Sequence, residues 1–204
     1  MRMNVHSHSP TRRGQRTREA VLNAALERFA ERGFHGTAVP DIARAAGIAA
    51  GTIYRHFTSK QQLVNEVYRR CKTAMMQQLL GDLNTEADAR ELFRAFFTRL
   101  AAFATAQPLA FSFLELHHHG AYLDEDSRRL ELTALIPIAG FVERFKGQGV
   151  VKPMSTEALI SIVWGALVGL IKAARLGYVQ LSDQVIEQAE ASCWDALRRI
   201  PRKD

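Results

Sequence analysis

The segment Gly51-Thr52-Ile53-Tyr54-Arg55-His56-Phe57-Thr58-Ser59-Lys60 puts a phenol, a guanidinium and an imidazole on consecutive residues, with an ammonium close behind. They form no obvious catalytic set: no carboxylate accompanies them to orient a base or to activate a hydroxyl. Phosphate oxygens and base edges are what such donors suit. A second group, His117-His118-His119 after Glu115, invites a metal reading. Successive residues on a helix point about 100° apart, so three in a row cannot meet one ion. A helix end or a pocket lining is the expectation for them.

Elsewhere the chemistry-bearing types do not combine. Cys71 and Cys193 lack metal spacing and read as reduced thiols of a cytoplasmic protein. The chain carries no P-loop, HExxH, GxSxG or paired-cysteine motif, and no spacing that suggests a Ser/His/Asp set. The expectation is a protein that is not an enzyme, with no cofactor and no metal. A helical enzyme, or a helical adaptor with a basic end, is the alternative.

Charge separates the chain in two. Of 204 residues, the first sixty hold ten Lys and Arg against four Asp and Glu, and the rest hold seventeen of each. The whole net charge of +6 therefore lies before residue 61. A module for a polyanion on a neutral body is built this way, and an adaptor has no use for the asymmetry. The most apolar run, Ala158 to Ile171, is 14 residues long, which fits a buried helix better than a membrane span. The N-terminus lacks the apolar core of a signal peptide.

These residues need elements to position them. Residues 1–15 read as a flexible basic arm. Leu22, Ala25, Leu26, Phe29 and Ala30 form one helix face, with Thr17 as cap and Gly33 as terminator. A short helix follows from Thr37, with Pro40 in its first turn, to Ala46. Ile53 and Phe57 give the inner edge of a third helix. Ser59-Lys60-Gln61-Gln62 is a capping box opening a fourth, to about Leu83. Five more helices are predicted at about 86–106, 108–119, 125–146, 156–176 and 183–199, with Thr85, Ser155 and Ser182 as caps. The chain is all-α, with about nine helices and no convincing strand.

Ala43, Gly47 and Ile53 have the spacing a helix-turn-helix requires: a small residue at the crossing, a positive-φ turn, and an apolar pin. The outer side of such a second helix enters the major groove. With AVLNAALERFAERGFHGTAVPDIARAAGI and GTIYRHFTSKQQL on either side of the turn, residues 17–63 resemble the DNA-binding domain of the tetracycline-repressor (TetR) family. The resemblance covers about a quarter of the chain. It implies a helix-turn-helix domain over 16–62 and a helical effector-binding and dimerisation domain over 63–204.

It further implies that Thr37, Thr52, Tyr54, His56 and Lys60 meet phosphates and Arg55 a base edge. Ala50 stands in the recognition helix where the family often has a cation, and Ala49 where it usually has a capping Ser. For Arg12, Arg13 and Arg16 two readings stay open, a solvated tail or minor-groove contact. The function implied is a ligand-responsive repressor that binds a palindromic double-stranded operator as a homodimer and is released by a small hydrophobic effector. Effector contacts are expected from Phe96, Phe113, His117, His118 and Trp164. Dimer contacts are expected from Ile162, Gly165, Gly169, Val185, Ala189 and Cys193.

Overall fold

A computed structural model describes residues 12–200, and among them the regular structure is helical. Nine α-helices follow in order: α1 Arg12–Arg32, α2 Val39–Ala45, α3 Ala50–Ile53, α4 Lys60–Leu80, α5 Ala89–Ala106, α6 Pro108–Leu116, α7 Glu125–Gly147, α8 Thr156–Arg175 and α9 Asp183–Leu197. One isolated antiparallel bridge, Val151 to Arg198, ties the start of α8 to the end of α9. The all-α expectation holds, and most helix ends fall within a few residues of their predicted places.

Two starts differ. The first helix opens at Arg12 instead of Thr17, and the Thr17 hydroxyl donates to the Arg13 carbonyl at 3.0 Å as an interior helix residue does. Arg12, Arg13 and Arg16 therefore stand on the first turns of a helix, and the predicted arm is helical from residue 12. The rest of that arm, residues 1–11, lies outside the described residues. α5 is capped by Asp88, whose carboxylate accepts from Glu91 N, and not by Thr85. An Asp cap also suits the positive end of the helix dipole.

Local chemistry explains the remaining ends. Ser59, Asp124, Ser155 and Ser182 each accept a bond from the third residue of the helix that follows. In the α4 box, Gln62 reaches back to Thr58, accepting from its N–H and hydroxyl, not to Ser59. α4 runs through the residue 62–63 division read from the sequence, so one continuous rod belongs to both halves. Its first turns pack on α1 and its later turns on α5, α6 and α7. Leu63, Val64, Val67, Tyr68, Met75 and Leu79 carry that packing and are 2 % exposed or less.

α8 is 20 residues long, and by length and composition it is apolar enough to cross a bilayer. The 14-residue apolar run Ala158 to Ile171 lies inside it. The helix has two apolar faces: Leu159, Val163, Leu167 and Ile171 are buried in the body, while Ile162, Gly165, Ala166 and Gly169 point outward.

Candidate nucleic-acid interface and apolar cavity

The turn between α2 and α3 is built as the spacing requires. Gly47 has φ 68°, and a Cβ added there would touch nothing within 4 Å, so the glycine answers a dihedral and not a lack of space. Ala43 and Ile53, each 2 % exposed, lock the two helices together. Regular α3 is only four residues long, with Ala49 at its N-cap making no side-chain bond. Helix-like turns carry it on: Arg55 N, His56 N and Phe57 N donate to Thr52 O, Ile53 O and Ile53 O at 3.2, 2.9 and 2.9 Å.

The result is a short knob with Phe57 inside and Tyr54 and Arg55 outside. Tyr54 is 55 % exposed, which leaves its ring and hydroxyl open to a partner. Arg55 has no ion pair among the described residues, so its guanidinium is available. Ala50, Thr52 and His56 are half-buried along the same knob, and Arg12, Arg13 and Arg16 are exposed at the start of α1. Arg18 turns inward, 2.9 Å from Glu66 and 5.2 Å from the Phe57 ring centroid, pinning α1 to α4 and the knob.

Two of the expected phosphate contacts are placed differently. Thr37 is 2 % exposed, and its Oγ1 lies 2.8 Å from Gly33 O and 3.0 Å from Arg28 O. Its hydroxyl closes the end of α1, and Ala38, not Thr37, is the N-cap of α2. The sequence placed it on the surface because Thr before a helix is a common cap; the carbonyls of Arg28 and Gly33, where α1 ends, took the hydroxyl instead. Lys60 is half-buried with its ammonium 4.3 Å from the Phe34 ring centroid, and desolvation lowers its pKa.

The body encloses an apolar cavity of about 90 Å³ among α5, α7, α8 and α9. Phe93, Phe96, Phe141, Phe145, Trp164 and Trp194 form its aromatic wall. Phe96 and Trp164 were expected there; Phe113, His117 and His118 do not line it. Phe113 packs on Phe29 of α1 and on His119, at centroid distances of 6.2 and 4.8 Å. The histidine triplet lies past the end of α6, not on it. Trp194 was missed because its helix was read only as a dimer element.

Polar groups link the cavity wall to α6, and the end of α6 and the loop after it to α1 and α4. The indole N–H of Trp164 donates to Glu115 Oε2 at 2.6 Å. Burial raises the Glu115 pKa, against the Trp164 bond and the positive charge of Lys72, and Glu131 adds to the rise. Tyr68 is held protonated by burial and by Glu131 and Glu115.

Two residues beyond Glu115, His117 donates through Nε2 to the Ala30 carbonyl at 2.9 Å, an orphan acceptor in the last turn of α1. The buried His119 lies 2.6 Å from Phe113 O through Nε2 and 2.6 Å from the Tyr122 hydroxyl through Nδ1. Nε2–H donating and Nδ1 accepting satisfies both contacts with a neutral ring, in line with a pKa lowered by burial. Tyr122 stacks on Phe34 at 4.5 Å and gives its carbonyl to Asn65. Arg69 bonds both oxygens of Asp124 at 2.9 Å. The loop between α6 and α7 is thus clamped to α1 and α4 together.

On the outer face, Ile162 is 42 % exposed, and Cβ atoms added at Gly165 or Gly169 would meet nothing within 4 Å. Val185 and Ala189 lie half-buried on α9 beside it. Cys193 is 7 % exposed and faces the core, so the dimer contact read for it is corrected: its side of α9 also carries Leu197 and the Arg90–Glu190 ion pair that joins α5. Burial raises the Cys193 thiol pKa, as it does for an inert core cysteine.

Residues 21–67 match the model of bacterial regulatory proteins of the tetR family, and residues 68–199 match the tetracyclin repressor-like C-terminal domain. The chain belongs to the TetR family. Among its relatives is the HTH-type transcriptional repressor KstR2 of Mycobacterium tuberculosis, 32 % identical over 121 residues, 58 % of this chain and 52 % of that one. The chain thus spans about half the length of the curated relatives it matches first. KstR2 of Rhodococcus jostii is 50 % identical over 56 residues, 28 % of this chain and 26 % of that protein. A TetR family transcription regulator from Marinobacter aquaeolei superposes with TM-score 0.82 at 25 % identity, covering 91 % of this chain and 97 % of its own. A TetR family protein from Vibrio parahaemolyticus gives TM-score 0.73 at 28 % identity, with 90 % and 100 % covered.

Proposed function

We propose that this TetR-family protein is a ligand-responsive transcriptional repressor, acting in the cytoplasm as a homodimer on a palindromic operator. One observation carries the reading: a knob with Tyr54 and Arg55 exposed and an apolar cavity share one fold, in which the end of α6 is bonded both to the cavity wall, through Glu115 and Trp164, and to the last turn of α1, through His117 and Ala30. The knob enters the major groove with Arg55 on a guanine edge. Thr52, Tyr54 and His56 meet the flanking phosphates, and Arg12, Arg13 and Arg16 lie beside the backbone.

Two α8–α9 pairs form a four-helix interface, with Ile162, Gly165, Gly169, Val185 and Ala189 facing the second subunit. The two glycines support this placement. Each costs roughly 0.5–1 kcal/mol against alanine inside a helix, and nothing in this chain needs their lack of a side chain. A second helix packed close does.

The effector occupies the cavity against Phe96 and Trp164. A volume of about 90 Å³ is smaller than the ~150 Å³ apolar cavity that takes up benzene, so entry must move a wall. Trp164 is the wall held by a single side-chain hydrogen bond. When its indole swings, Glu115 and the end of α6 lose their tie to α8, and His117 no longer holds the end of α1. The spacing of the two recognition helices then departs from the operator repeat, and DNA is released by population shift.

The test is a gel shift on DNA flanking the gene. Arg55→Ala should lower operator affinity by ~1–3 kcal/mol while leaving binding to random DNA nearly unchanged. Arg13→Ala, beside the backbone, should weaken both alike and flatten the salt dependence. An equal loss on operator and random DNA for Arg55→Ala rules out the base-reading role.

A further inference from the structure

Helix α7 turns one side to the core, where Ser127, Ala134, Ile138 and Phe145 are buried. Its opposite side is not polar. Leu132 is 70 % exposed and Ile136, one turn on, 64 %. A further turn on is Gly140, where an added Cβ would meet nothing within 4 Å. Beside this stripe an open groove of about 390 Å³ runs between α4 and α7, with Met76, Leu80, Leu130, Thr133 and Pro137 on its walls. Large aliphatic side chains left in water next to an apolar groove mark a surface that something covers.

The order of residue types along the stripe says what covers it. Leu132 lies four residues before Ile136, and Gly140 four after. Arg129 lies seven before, and Glu143 seven after. The spacing 3-4-4-3 keeps all five on one helix face. About Ile136, a large side chain is thus matched by a bare backbone and a cation by an anion. Two α7 helices packed antiparallel about a two-fold axis at Ile136 bring each residue onto the one at equal distance on the other side. Leu132 then covers the partner's Gly140, and Arg129 meets the partner's Glu143. Parallel pairing would set arginine on arginine and glutamate on glutamate.

Arg129 also pairs along its own helix with Glu125 and Asp126, and Glu143 with Lys146, yet their side chains stay 65 % and 59 % exposed. Gly140 points the same way. A glycine inside a helix is unfavourable, nothing within this chain needs its lack of a side chain, and a leucine from a second copy does. A foreign partner would give these pairs no reason to share one centre.

We propose that α7 is a second self-association surface, packed antiparallel on α7 of another copy about a two-fold axis at Ile136. Together with the α8–α9 pairing of the proposed function, on which this last step rests, it joins two operator-binding dimers into a tetramer. The contact is one helix wide, smaller than a standard interface, so its dissociation constant is on the order of 10–100 µM. Neighbouring operators that hold two dimers together would favour it at lower concentration.

The experiment uses the full-length protein without DNA. Sedimentation velocity from about 5 to about 200 µM should show dimers passing to tetramers. Ile136→Asp sets two carboxylates on the axis and should weaken that step more than about tenfold. Its melting temperature in dilute solution should not change, because residue 136 is exposed in the single chain. Cysteine cross-linking at the higher concentrations reads the register, and the native Cys71 and Cys193 are buried and stay out of the reaction. Under mild oxidation Ile136→Cys should link to its own copy, and the double variant Leu132→Cys/Gly140→Cys should link between copies. Leu132→Cys alone should not, since its two copies would stand about 12 Å apart along the helix axis, beyond disulfide reach.

The proposal is overturned if Ile136→Cys fails to cross-link, or if Leu132→Cys alone links as well as the double variant. It is overturned equally if the wild-type chain shows no association step that Ile136→Asp weakens. Failure of the α8–α9 reading looks different. The cross-links then remain, and the step that Ile136→Asp removes is monomer to dimer instead of dimer to tetramer.

Discussion

Alanine at both Gly165 and Gly169 should make the single subunit more stable and the dimer weaker. Within one chain the substitution is free of clashes, since an added Cβ at either position meets nothing within 4 Å and neither glycine has positive φ. Each replacement removes the backbone entropy cost of a mid-helix glycine, about 0.5–1 kcal/mol, so the pair gains about 1–2 kcal/mol. For a chain of this size that raises the melting temperature of the monomer by roughly 2–8 °C. At the proposed interface the same methyl groups occur four times per dimer. At roughly 1 kcal/mol each, the low end of overpacking, they weaken association by on the order of a thousandfold. The assay is sedimentation equilibrium combined with thermal melts over a dilution series. In the double variant the concentration dependence of melting should vanish while the dilute-limit melting temperature rises. If melting rises and the dimer dissociation constant stays put, the outer face of α8 is not where two copies meet.

Two further outcomes follow from the bonds around the end of α1. Thr37→Val removes a buried hydroxyl from Gly33 O and Arg28 O, and should cost about 1–3 kcal/mol of stability while leaving the salt slope of DNA binding unchanged; a slope reduced by about one would restore Thr37 to the phosphate contacts. His117→Ala frees the Ala30 carbonyl, and should leave the affinity for a releasing compound within about twofold while weakening the compound's effect on operator affinity by about tenfold; undiminished release would show that coupling runs elsewhere.

How much of this was legible beforehand depended on where each signal lies. The helix-turn-helix could be read because its constraints are local: Ala43, Gly47 and Ile53 answer to one another within eleven residues, and each violates or satisfies its rule whatever the rest of the chain does. The caps at Ser59, Ser155 and Ser182 were legible for the same reason, and Thr85 lost to Asp88 because the two lie within four residues and both can cap. Thr37 shows where local reading stops. A hydroxyl before a helix looks like a cap from sequence, and only the position of the end of α1 turns it toward Gly33 and Arg28.

The cavity and the bonds around α6 were the least legible parts, because every link in them is between residues far apart in the chain. Trp164 and Glu115 are separated by 49 positions, and His117 and Ala30 by 87. Eleven phenylalanines were visible, but periodicity marks all inward-facing ones alike and does not say which face a void. Here the polar groups discriminate better than the apolar ones. Glu115, Lys72 and His117 each have a place in the apolar pattern of their helices or helix ends that a core residue would fill more cheaply, and burying them costs free energy unless a specific partner answers. For Glu115 and His117 the structure supplies that partner in part, through Trp164 and Ala30. For Lys72 water supplies it: the residue is 7 % exposed, but its ammonium is not among the buried nitrogens that lack a partner, so the stem packs in the core while the head reaches solvent.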